Sequence, residues 1–99
     1  MEHQARLRRV REIQKAIGRI LLRDWDPIGV QDVPEAQDEY DSYVGGVYGL
    51  LASGASPQAI AEHLAGIERD SMGFDQARPG PLLPVAHKLC EVDVRLERE

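Results

Sequence analysis

Cysteine is nearly absent from this chain of 99 residues. Cys90 is the only one, so no disulfide can form within the molecule. A single thiol fits a reducing compartment, and the chain reads as cytoplasmic. Aromatic residues are equally scarce, with one Trp, one Phe and three Tyr. Aliphatic side chains must therefore supply most of a core, at about 25 cal/mol per Å² of apolar area buried. No apolar run approaches the roughly 20 residues that cross a bilayer. The opening M-E-H-Q-A-R-L-R-R is charged and no apolar stretch follows it, so it does not read as a secretory signal.

Positive charge is missing from the whole middle of the chain. Residues 24–68 contain no Lys or Arg but carry nine acids, whereas residues 1–23 carry seven basic groups against two acids. The net charge of −5 conceals this division. The division is sharpest in Asp24–Asp41, D-W-D-P-I-G-V-Q-D-V-P-E-A-Q-D-E-Y-D. This stretch holds seven carboxylates and the only Trp.

Apolar periodicity predicts an all-α, single-domain protein over residues 1–99, a four-helix bundle-like fold with helices at about 4–24, 36–53, 57–72 and 85–97. In the first helix Leu7, Val10, Ile13, Ile17, Ile20 and Leu21 recur at three- and four-residue steps and form one stripe. Arg8, Arg11, Lys15, Arg19 and Arg23 lie opposite. Pro27, Gly29 and Pro34 then forbid a continuous helix through an acidic loop at 24–37, where Trp25 is expected to fold back onto the core. The second helix pairs an apolar face (Tyr40, Tyr43, Val44, Val47, Leu50, Leu51) with a nearly bare side at Gly45, Gly46 and Gly49. Each helical Gly costs about 1 kcal/mol relative to Ala, so close approach by another backbone is expected there, either helix four or a partner molecule. Gly54 should end that helix in a left-handed cap, and Ser56-Pro57 should begin the third. A Pro-rich loop at 74–84, pinned by Phe74, Leu82 and Leu83, leads to a fourth helix with Val85, Leu89, Val92 and Leu96 as its seam.

Chemistry-bearing patterns are few. Counting Asp24 as position one places Asp26 at three, Gly29 at six, Asp32 at nine and Glu35 at twelve, the spacing of a calcium loop between two helices. Ile28 at position five supplies no side-chain oxygen, and Pro27 and Pro34 stiffen the loop. The plainer reading makes these acids helix caps. His63 lies at the edge of the third helix's apolar stripe. His87 and Cys90 share an outward face of the fourth helix, but two ligands make no zinc site. No serine stands in a nucleophile elbow. An enzyme is not expected, nor is a cofactor.

The string W-D-P-I-G-V at Trp25–Val30, with D-E-Y-D at Asp38–Asp41, Leu50–Leu51 and I-A-x-H-L at Ile60–Leu64, resembles the YugE-like family of small bacterial domains of unknown function. The resemblance covers about residues 10–73. It implies a compact helical fold and a bacterial, intracellular source, and brings no activity. Gly45, Gly46 and Gly49 make the second helix richer in glycine than the resemblance leads one to expect.

The function expected from these features is protein binding without catalysis, by a docking surface comprising Asp26, Asp32, Glu35, Asp38, Glu39, Asp41, Gly45 and Gly49. The partner would carry a basic surface, because clustered carboxylates steer cations towards them. An immunity protein or an adaptor is the nearest analogy. One alternative is a divalent cation held by Asp24, Asp26, Asp32 and Glu35. Another, disfavoured by the acidic total, is nucleic acid gripped by the basic face of the first helix. Self-association through helix two or helix four is a further expectation.

Overall fold

The computed structural model of the chain describes residues 2–96. Among the described residues the chain is all-helical, with four α-helices: α1 (Glu2–Ile20), α2 (Asp41–Ala52), α3 (Pro57–Asp70) and α4 (Leu83–Cys90). The helix α1 packs on α2, and α3 on α4. One core gathers Ile13, Ile17, Leu21, Trp25, Tyr40, Val44, Val47, Leu51, Ile60, Leu64, Val85 and Leu89. None of the helices is long and apolar enough to cross a membrane, among the described residues.

The first helix departs from its expected form at both ends. Leu7 is 44% exposed, and the α1 contribution to the core begins at Ile13. At the other end, residues Leu21–Trp25 form a π-helical turn, closed by the Asp26 amide donating to the Leu21 carbonyl at 2.9 Å. Ile13, Ile17, Leu21 and Trp25 are spaced by four. At 3.6 residues per turn each such step drifts roughly 40° around the helix. The wider π turn takes up that drift, so Trp25 still faces inward.

The second helix begins at Asp41 rather than near residue 36. Residues 33–43 instead form a chain of tight turns, with a 3₁₀ turn at Pro34–Ala36 and successive bonds from Ala36 to Val33, Glu39 to Ala36, Asp41 to Asp38 and Tyr43 to Tyr40. This path sets Tyr40 just ahead of α2, where its ring turns into the core.

The helix α2 ends as expected. Gly54 has φ of 83°, its amide bonds to Leu51 and the Ala55 amide bonds to Leu50, a Schellman closure. The Ser56 hydroxyl accepts from the Ala59 amide at 3.1 Å and caps α3, with Pro57 in the first turn.

The bare side of α2 does not meet helix four. A Cβ on Gly46 would lie 3.2 Å from His63 Nε2 of α3, and one on Gly45 or Gly49 would meet nothing within 4 Å. Leu82 and Leu83 pack against the core at the end of the Pro-rich loop as expected, but Phe74 is 40% exposed and does not. Arg69 ties that loop instead, donating to the Ala77 carbonyl at 2.8 Å.

The helix α4 stops at Cys90, well short of 97 (residues 97–99 lie outside the described residues). The Asp93 carboxylate accepts from the Arg95 amide at 3.0 Å, a local bond that competes with helical continuation. Arg9 of α1 then takes the freed carbonyls, donating to Asp93 at 2.6 Å and to Arg95 at 3.0 Å. The paired Arg95 and Arg9 guanidiniums hold the Asp93 carboxyl well below the usual carboxylate range. Val92 and Val94 still pack against the core, but Leu96 is 41% exposed and leaves the expected seam. Cys90 turns inward, away from exposed His87. Its Sγ lies 4.0 Å from the Ala55 carbonyl, and burial pushes the thiol up.

Candidate functional site

The π turn delivers Trp25 and Asp26 to the same junction of α1, α2 and α3. Trp25 packs against Tyr40, with ring centroids 5.3 Å apart, and edge-on against Tyr43 at 5.9 Å. Its indole N–H donates to Glu68 of α3 at 2.7 Å. Asp26 has φ of 33°, the one left-handed non-glycine conformation among the described residues. Asp tolerates that region because its short carboxylate can bond to nearby backbone.

Asp26 organises the loop behind it. One oxygen accepts from the Tyr40 hydroxyl at 2.7 Å and the Val30 amide at 2.8 Å. The other accepts from the Gln31 amide and side chain, both at 3.1 Å. Desolvation works to raise this carboxyl, but the hydrogen bonds from Tyr40, Val30 and Gln31 outweigh it and hold the group below its ordinary value. Asp26 is thereby engaged inside the molecule and leaves the expected docking surface.

Tyr40 is 2% exposed and completes the same network, its oxygen also accepting from the Ile28 amide at 3.2 Å. Burial, with the Asp26 carboxylate as a smaller contributor, pushes its hydroxyl up from 10.0 to about 12. A raised value means that the folded chain favours the protonated form. That stabilisation is complete below the unfolded value of 10.0 and lost as pH rises towards 12. The shift corresponds to about 2–3 kcal/mol. Denaturant titrations between pH 9 and 12 should show this alkaline loss, and Tyr40→Phe should remove that share of it.

The remaining acids divide cleanly. Asp24 is bound to Lys88 of α4 at 3.1 Å. Asp32, Glu35, Asp38, Glu39 and Asp41 are all exposed, and none has a side-chain hydrogen bond or ion pair among the described residues. They are not helix caps. Tyr40 stands at the cap of α2 and Val33 at that of the 3₁₀ turn, each without a side-chain cap bond. The exposed carboxylates therefore form a ridge from 32 to 41 facing water. The bare flank at Gly45 and Gly49 continues it along α2, also exposed.

The calcium-loop alternative fails on geometry. Asp24 and Asp26, its first two ligands, are committed to Lys88 and to the loop's own donors. No three His, Cys, Asp or Glu side chains come together as a metal would require, among the described residues. Along α1, Arg8, Arg11, Lys15, Arg19 and Arg23 are exposed and none forms an ion pair with the ridge, although Arg11, Lys15 and Arg19 line a groove that Asp41 also lines. The Asp26–Tyr40 bond, the centre of the junction, had no local signal in the sequence, since its partners are separated by 14 residues.

No protein-family model, curated protein or solved structure matches the chain.

Proposed function

We propose that this chain is a non-catalytic protein-binding module that docks a basic protein surface on the carboxylates of Asp32, Glu35, Asp38, Glu39 and Asp41, in the manner of an immunity protein or adaptor. One observation carries the reading. The five side chains stay exposed and unpaired although α1 of the same molecule presents several exposed arginines. Folding has not consumed their charge, and a run of uncompensated carboxylates raises the encounter rate with a cationic partner. The likeness of Trp25–Val30 and Asp38–Asp41 to YugE-like domains belongs to this proposal and adds no activity to it.

Affinity capture from the source cells, with the wild-type chain and with Glu35→Gln, Asp38→Asn and Glu39→Gln combined, tests the reading. A basic protein held by the wild type and released by the triple variant is the expected result. Its association rate should fall steeply with added salt, because exposed charges are screened beyond about 8 Å at physiological ionic strength. Recovery of the same proteins by both forms would remove the proposal.

A further inference from the structure

A groove of about 510 Å³ runs between α1 and the start of α2. That size lies within the roughly 300–1,000 Å³ of small-molecule sites. One wall is a ladder of Arg11, Lys15 and Arg19 on α1. Their four-residue spacing places the outer two about 12 Å apart along the helix at 1.5 Å per residue. All three are exposed, and none makes a hydrogen bond or ion pair with another described residue. Gln14, Gln37 and Asp41 add hydrogen-bonding groups, and Leu22 and Val44 an aliphatic patch.

Two glycines keep the groove open. Gly18 of α1 and Gly45 of α2 both line it. A Cβ on Gly45 would meet nothing within 4 Å, and one on Gly18 would touch Val44 at an ordinary 3.7 Å. Packing within the chain therefore requires neither glycine, although each is unfavourable in a helix relative to alanine. Side chains at these positions would narrow the space in front of the cations.

We infer that this groove binds a small phosphorylated polyol. The three cations match phosphate oxygens, which Arg and Lys hold by charge-assisted hydrogen bonds. The amides of Gln14 and Gln37 and the Asp41 carboxylate suit hydroxyl groups, which both donate and accept. No aromatic residue lines the groove, so a nucleobase has nothing on which to stack. The groove adjoins the docking ridge and shares Asp41 and Gly45 with it, but the inference does not rest on the docking reading.

Calorimetric titration of the full chain with fructose 1,6-bisphosphate, inorganic phosphate and unphosphorylated fructose tests it. Saturable one-to-one binding of the bisphosphate, tighter than that of the other two, is expected. Arg11→Gln combined with Lys15→Gln should weaken it by at least about tenfold. Gly45→Leu keeps every charge, obstructs the groove and replaces a helical glycine with a strong helix former. It should abolish binding while raising the melting temperature, so that loss of binding is not loss of fold. The Glu35, Asp38 and Glu39 amide variant should bind as the wild type does, which separates this site from the docking ridge. Absence of saturable bisphosphate binding, equal binding of fructose, or binding undiminished in Gly45→Leu would each overturn the assignment. Heparin binding tighter than the bisphosphate and indifferent to Gly45→Leu would also overturn it, giving the cations to a polyanion lying across the surface.

Discussion

Replacing Trp25 with alanine should remove about 3–5 kcal/mol of folding stability, the usual range for a large aromatic taken from a packed interior. The side chain is only 7% exposed, and it joins three helices. Its ring lies against Tyr40 and Tyr43, while its N–H satisfies Glu68 of α3. Removal leaves a cavity at the junction and strands a part-buried carboxylate. A domain of this size has about 5–15 kcal/mol in all, so the variant would sit close to its unfolding threshold. Trp25→Phe separates the two contributions. It keeps most of the packing and deletes the indole donor, for about 1–3 kcal/mol. Urea titrations followed by far-ultraviolet circular dichroism give both numbers. A loss below 1 kcal/mol in the alanine variant would mean that the junction does not depend on the indole.

The second large effect is expected at Asp26. Asp26→Ala should cost about 3 kcal/mol, because part-buried donors from Tyr40 and Val30 lose their acceptor together. Alanine must also hold a left-handed φ of 33° that aspartate accommodates. Asp26→Asn keeps the backbone preference and one acceptor oxygen, and should cost less than the alanine change. Acid titration provides an independent check. The folded carboxyl is held below 3.8, so the unfolded chain takes up this proton first as pH falls. The contribution of Asp26 is therefore present above the unfolded value and disappears as pH drops through the folded one. Stability measured from pH 5 to 2 should fall less in the asparagine variant than in the wild type.

These two residues show where the sequence was legible and where it was not. Local rules placed the interior of α1 and α3, the Gly54 closure and the Ser56-Pro57 start, since each depends on neighbours a few positions away. Trp25 could be expected to turn inward, but the π turn that aims it could not. Spacing by four reads as an ordinary helix until the accumulated drift is followed to its end. Tyr40 shares the helical period of Val44 and Val47, which hid its position ahead of α2. Only the contact with Asp26, distant in sequence, sets it there. The same limit applied to α4, whose apolar spacing runs on to Leu96 while a local Asp93 bond and an arginine from the far end of the chain divert the backbone. The wealth of acids in Asp24–Asp41 was plain from composition. Which of them folding would consume was a tertiary question, answered for Asp24 by Lys88 and for Asp26 by its own loop.

Trp25 is the molecule's single indole, and two tyrosine rings stand within energy-transfer distance of it. Emission excited at the red edge thus comes from one location, where three helices and the acidic loop converge. Any event that loosens the loop or shifts α3 should register as a change in wavelength or lifetime at that point. The chain carries its own optical reporter, with no need of an attached dye.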